Sequence, residues 1–97
     1  MFNIEFTQSA VEDLEHLRKH EQRQVVDAVE DQLTYEPDKE TRNRKRLRPN
    51  RLAEWELRAG DCRAFYDVDH PALLVRIVAI GVKKRNKLFI RGEEFDL

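Results

Sequence analysis

Residues 73–81, LLVRIVAIG, are apolar at every position except Arg76 and the closing Gly81. The run is far shorter than the roughly 20 apolar residues of a membrane-spanning helix. Its unbroken character is that of a central strand covered on both faces. A chain carrying such a strand needs paired neighbours and a packed layer, and the flanking sequence supplies both. LAEWELR sets Ala53, Trp55 and Leu57 against Glu54, Glu56 and Arg58, and CRAFYDV follows after the tight turn Ala59-Gly60-Asp61. Two alternating segments so closely joined predict a hairpin. Asp69-His70-Pro71 then turns the chain into the apolar run, and Gly81 is expected to end it.

Upstream, MFNIEF alternates Phe2, Ile4 and Phe6 against Asn3 and Glu5, which predicts a short first strand. Thr7 and Ser9 are both N-cap candidates, and Ser9 with Glu12 has capping-box spacing, ahead of Ala10, Leu14 and Leu17 at helical intervals. After a break near Lys19-His20, Val25, Val26, Val29 and Leu33 line one face of a second helix, with Asp27, Glu30 and Asp31 towards water. Pro37 disfavours helix at Glu36, so this helix should stop near Tyr35 and pair with the first as a hairpin. Residues 38–51 have no apolar periodicity apart from Leu47, and Pro49-Asn50 is a turn signal, so the segment reads as a long basic loop. Around Leu88, Phe89 and Ile90 a last short strand or edge segment is expected.

One strand, two helices and three or four antiparallel strands leave a single helical layer for one face of the sheet. The predicted architecture is a two-layer α+β fold, an N-terminal strand and helix hairpin on an antiparallel sheet of about four strands. It fits one domain spanning residues 1–97. The other sheet face is then partly open. Trp55 and Leu57 are core candidates, so Glu54 and Glu56 should point out onto that face.

With 40% hydrophobic and 38% charged residues the chain can build a small core, which excludes disorder. A formal net charge of -1 excludes a uniformly basic nucleic-acid binder, so distribution decides. Residues 1–41 hold eleven acids and four bases, whereas residues 42–51 hold Arg42, Arg44, Lys45, Arg46, Arg48 and Arg51 and no acid. Lys83, Lys84, Arg85, Lys87 and Arg91 form a second cluster. Cations that share a Debye length of about 8–10 Å sum their fields, so the clusters predict a local anion site; a solvated loop remains the alternative for residues 42–51. Cys62 is the lone cysteine and cannot form an internal disulfide. With no secretory n-region, the expected location is the cytoplasm, with no membrane partner.

The element order, read with LAEWELRAGDCRAFYDVD and VRIVAIGVKKRNKLFI, resembles the RelE/ParE superfamily of bacterial and archaeal type II toxin-antitoxin toxins over essentially the whole chain. The specific parts are Leu57-Arg58-x-Gly60-x-x-Arg63-x-x-Tyr66, the hydrophobic strand ending in Gly81 with Lys83 shortly after, and the basic loop ending in Leu47. The resemblance implies a RelE/ParE-like fold and a small cytoplasmic toxin with a concave basic surface. It also implies neutralisation by a cognate antitoxin that wraps it in a toxin-antitoxin hetero-oligomer. In the RelE branch it implies cleavage of mRNA in the ribosomal A site, with ribosome and mRNA as partners and no cofactor or metal. That branch has two lysines where this chain has Glu54 and Glu56. Its two arginines are matched by Arg63 and, in charge only, by Lys83, and its C-terminal tyrosine falls near Phe89, which cannot exchange a proton.

Metal-free RNA cleavage needs a base for the 2'-OH, cations for the charge growing on the phosphoryl oxygens, and an acid for the leaving oxygen. Arg63 is the candidate phosphate clamp and Lys83 a second charge. Glu54 and Glu56, two apart on one strand and so about 7 Å apart, are the candidate bases. Ion pairing with Arg63, Arg76 or Lys83 is the competing role for both glutamates. Arg42, Arg44, Lys45, Arg46, Arg48, Arg51, Lys84, Arg85 and Lys87 are candidate RNA-binding residues, and equally candidate contacts for an acidic antitoxin tail. His16 and His20 have helical metal spacing without a third ligand. His70 is read as a turn residue, Cys62 and Trp55 as core, and Tyr66 as packing in preference to base stacking or proton donation. Three functions stay open: a ribosome-dependent mRNA endoribonuclease, a non-enzymatic gyrase inhibitor as in the ParE branch, and a weakened member acting through antitoxin binding.

Overall fold

A computed structural model describes residues 1–97. Strand β1 (Asn3–Phe6) leads into helices α1 (Gln8–Glu15) and α2 (Lys19–Leu33), followed by β2 (Arg44–Arg46), β3 (Trp55–Ala59), β4 (Cys62–Asp69), β5 (Leu74–Lys84), β6 (Lys87–Ile90) and β7 (Glu93–Phe95). All seven strands join one sheet in the order β2-β3-β4-β5-β6-β7, with β1 beside β5. The apolar run is central, as expected. β4 pairs along one edge of β5, while the other edge is shared, β1 running parallel to its first half and β6 antiparallel to its end.

The helical layer forms as the periodicity requires. α1 rests on β5, and α2 on β3 and β4. Ala10, Val25, Val29 and Leu33 bury against Trp55, Leu57, Ala59, Cys62, Ala64, Tyr66, Val75, Ile77 and Ile80. The α1 cap is Thr7, whose hydroxyl accepts from the Ala10 N–H at 3.1 Å; Ser9, the alternative, lies inside the helix. α2 ends at Leu33, two residues before the expected stop.

The sheet has seven strands where about four were expected. β2 lies inside the segment read as a loop: its RKR sequence has no apolar alternation to announce it, yet it pairs antiparallel with β3. β7 had no sequence signal either. The Arg85-Asn86 and Arg91-Gly92 loops both place two successive residues at positive φ, the geometry of tight two-residue hairpins, and so fold β6 and β7 back in turn. Gly81 does not end β5, which runs on to Lys84. A Cβ there would lie 2.7 Å from the Phe89 carbonyl oxygen and 2.8 Å from Leu88 Cδ1, so the glycine is what lets β6 approach.

The face away from the helices is partly roofed. Ala53, Phe65, Ala79 and Leu88 form a second buried cluster there, with Leu47, Leu52, Val78, Ile90 and Phe95 packed around it. A bulge shapes this face. Phe65 pairs with Ala79 but Tyr66 with Ile77, so Val78 is an extra residue in β5. The insertion inverts the alternation: Val75 and Ile77 face the helices, whereas Ala79, Gly81 and Lys83 face the other side.

Candidate functional site

On the helix-free face a groove of about 440 Å³ is lined by Lys45, Arg46, Leu47, Arg48, Pro49, Asn50, Glu56, Lys83 and Leu97. Three local features assemble it. β2 sets Lys45 directly across from Glu56. The Pro49-Asn50 turn folds Arg48 over them, with the Asn50 carboxamide oxygen accepting from the Leu52 and Ala53 N–H groups at 2.7 and 3.0 Å. The bulge brings Lys83 onto the same side. The two basic clusters of the sequence thus meet here through Lys45, Arg48 and Lys83, with one carboxylate among them.

Arg63 lies beneath Glu56. Its Nε is 3.7 Å from Glu56 Oε2, the two side chains being only 10% and 13% exposed. Its Nη1 donates to the carbonyls of Gly60 at 2.8 Å and Cys62 at 2.9 Å, and Nε has no hydrogen-bond partner. Glu54 shares the face but not the groove. It precedes β3, its N–H donates to Asp67 Oδ1 at 2.8 Å, and it borders two other hollows, one with Asp69, His70 and Arg76 and one with Arg48, Asn50 and Arg51. Arg76 pairs with Glu5 at 3.0 Å rather than with either glutamate.

The remaining candidate cations are dispersed. Arg44 turns to the helix side, where Nη1 donates to the carbonyls of Gln32 and Tyr35 at the end of α2, a favourable place for a cation at the negative pole of the helix. Arg46 lies with its guanidinium carbon 5.7 Å from the Trp55 ring centre, and Arg51 5.4 Å from that of Phe95. Arg42 is exposed. Lys84, Arg85 and Lys87 gather around Phe89 at the β5-β6 hairpin, apart from the groove, and Lys87 approaches Glu94 at 3.9 Å.

The side chains assigned to packing do pack. The Tyr66 hydroxyl donates to the Pro37 carbonyl at 2.7 Å, its ring stacks on Trp55, and burial pushes its ionisation well above the usual tyrosine range. Burial, reinforced by Glu21 and Asp61, pushes the Cys62 thiol up to about 11. His16 Nδ1 lies 2.9 Å from the Glu12 carbonyl oxygen, and the turn residue His70 meets Asp38 at 2.7 Å. No three His, Cys, Asp or Glu side chains converge as a metal site, and no helix is long and apolar enough to cross a membrane.

Two residues escaped sequence reasoning. Asp13, 2% exposed, accepts from the Ile80 N–H at 3.0 Å and from Arg91 Nε at 2.6 Å, and so fills the stretch of β5 edge between β1 and β6. Arg91 also reaches Glu12 and Ser9, and the Asp13 hydrogen bond holds its proton more firmly still. An acid at the i+3 position of the apolar stripe Ala10, Leu14, Leu17 was the available signal. The other is Arg58, exposed on the groove side of β3 and directly across from Arg63.

The fold has relatives. The model of the ParE toxin of type II toxin-antitoxin systems (parDE) matches residues 4–87. The toxin-antitoxin complex RelBE2 from Mycobacterium tuberculosis contains a chain 27% identical, with a TM-score of 0.73 over 84% of this chain and 98% of that one. The archaeal RelE-RelB complex from Pyrococcus horikoshii gives 22% identity and a TM-score of 0.68 over 87% and 97% of the two chains. The intact RelBE complex of E. coli gives 15% and 0.60 over 88% and 100%. No curated protein matches the chain. With the family model covering most of its length, on a two-layer fold that these complexes share, the chain belongs to the ParE toxin family of type II toxin-antitoxin systems, within the RelE/ParE superfamily.

Proposed function

We propose that this toxin, one domain over residues 1–97, inhibits translation in the cytoplasm by cleaving mRNA on the ribosome. The carrying observation is the position of Glu56 in the groove between Lys45 and Lys83. A phosphodiester in this groove meets positive charge on both sides and one carboxylate acceptor. Glu56 takes the proton of the 2'-OH, the freed oxygen attacks phosphorus, and the bond to the 5'-oxygen breaks. Lys45 and Lys83 stabilise the charge growing on the phosphoryl oxygens, and the Lys83 ammonium returns a proton to the leaving oxygen. The products are a 2',3'-cyclic phosphate and a 5'-hydroxyl, and neither metal nor cofactor enters the balance. Arg48 and Arg42 extend the positive surface along the RNA.

A cognate antitoxin neutralises the protein in this reading. The three similar structures are toxin-antitoxin complexes, and an acidic tail laid along Lys45, Arg48 and Lys83 would exclude RNA by occupying the same charges. A second, non-enzymatic reading, binding to DNA gyrase, is favoured by the family model and by the burial of Arg63. Phe89, near the place of the RelE-branch tyrosine, favours a weakened nuclease held mainly for antitoxin binding.

Mapping transcript 5' ends after induced expression decides among them. Cuts positioned within codons, reduced about 10²–10⁴-fold in a folded Glu56→Gln variant, are the expected result. Uncut transcripts with inhibited supercoiling overturn the nuclease reading in favour of gyrase. Absence of both effects, with no growth inhibition, leaves the antitoxin-binding role.

A further inference from the structure

Arg58 on β3 and Arg63 on β4 are cross-strand partners on the groove side of the sheet. Like charges placed directly opposite repel, and something must relieve them. Arg63 is relieved from within: it is 8% exposed, turned onto the Gly60 and Cys62 carbonyls, and set against Glu56. The Gly60 carbonyl is placed by a tight turn in which Gly60 takes a φ of +63°, a conformation glycine adopts without strain. Arg58 is exposed and has no ion pair or side-chain hydrogen bond. It stands two residues along β3 from Glu56, about 7 Å at strand spacing.

We propose a division of labour between the two arginines: Arg58 meets the polyanion, and Arg63 is a positioning residue that holds Glu56 and the β3-β4 turn without touching the phosphate. A guanidinium whose Nη1 is committed to two main-chain carbonyls, and whose Nε is buried against a carboxylate, has only Nη2 left and cannot present a two-point fork to a ligand. Arg58 offers one, and a bound anion would supply the counter-charge that the protein withholds. The assignment rests on the RNA reading above.

The test is the salt dependence of binding to a single-stranded RNA oligonucleotide made uncleavable by 2'-O-methylation. Each phosphate contact contributes about 0.7 to the slope of log K against log salt. Arg58→Gln is expected to lower the slope by about 0.7, and Arg58→Lys to restore it. Arg63→Gln is expected to leave slope and affinity unchanged while lowering kcat on the cleavable substrate, and Arg63→Lys, which keeps charge but not the fork, to fail to rescue kcat. A slope reduced by Arg63→Gln, or unchanged by Arg58→Gln, overturns the division. If Arg63→Gln does not fold, Arg63→Lys and the Arg58 pair still decide. Wild-type protein that binds RNA without salt dependence, or not at all, sinks the RNA reading itself, an outcome distinct from either reversal.

Discussion

Replacing Tyr66 with phenylalanine removes one oxygen and separates a structural role from a chemical one. The hydroxyl is fully buried and donates to the carbonyl of Pro37, itself buried, at 2.7 Å. The variant keeps the ring, and with it the stacking on Trp55 at 6.1 Å, so no large cavity opens. What it leaves is a buried carbonyl without its donor, at a cost of about 1–3 kcal/mol. Taking 2 kcal/mol as roughly the middle, and about 4–8 °C per kcal/mol for a domain of this size, Tm should fall by about 8–16 °C. The bond ties down the segment between α2 and β2, whose second tether, His70 to Asp38, is exposed and worth less. Cleavage at a temperature where the variant is folded should be unchanged, because the hydroxyl is buried on the Pro37 carbonyl and Tyr66 does not line the groove. Thermal unfolding by circular dichroism, run beside transcript 5'-end mapping, reads both quantities. An unshifted Tm would show that the hydrogen bond contributes nothing; lost cleavage with an unshifted Tm would place Tyr66 in the chemistry and refute the packing role.

Two further expectations follow from equally local geometry. Gly81→Ala drives a methyl group against the Phe89 carbonyl and Leu88, so β6 must shift, and about 1–3 kcal/mol of stability should be lost in urea titrations; an unchanged midpoint would mean that β6 is not held where it is. Cys62 has its thiol raised from 9.0 to about 11. For a group whose folded value is raised, the contribution is fully present below the unfolded value and declines as pH rises through the folded one. Stability should therefore fall between pH 9 and 11 more steeply in the wild type than in Cys62→Ala, and parallel pH profiles would contradict this.

Much of the helical layer was legible because burial imposes a period on the sequence. Val25, Val29 and Leu33 recur at helical spacing and all are fully buried. The β3-β4 hairpin was legible for the same reason, its Trp55 and Leu57 alternating with Glu56 and Arg58. The sheet's outer strands were not. RKR in β2 and EEF in β7 bury too little apolar surface to leave a period; they exist because β3 and β6 offer backbone partners. The site was half legible. Strand alternation put Glu54 and Glu56 on the same face, but only the folded chain shows that Glu56 joins Lys83 in one groove while Glu54 lies outside it. The inward turn of Arg63 was hidden, because composition gives a charge no depth. Asp13 was hidden too: a carboxylate in an apolar stripe makes sense only once Arg91 and the Ile80 N–H, far away in sequence, are seen to meet it.

The bulge at Val78 explains why the fold can carry a charged groove at all. Strand alternation alone would put Lys83 on the side of Val75 and Ile77, an ammonium aimed at the helices and an apolar core. One inserted residue reverses this for the rest of β5, so the same strand serves the core with its first half and the groove with its second. Gly81 then admits β6 against that second half, and Arg91 ties the end of β6 to Asp13 on α1. The net charge of -1 is compatible with the proposed polyanion site, because Asp27, Glu30 and Asp31 are exposed on α2, the layer covering the opposite sheet face. Over a Debye length of about 8–10 Å the groove's cations dominate locally, while the acidic face repels a polyanion approaching from behind. In the proposed function such polarity would orient the encounter and suppress adventitious binding, which a uniformly basic chain of this size would not do.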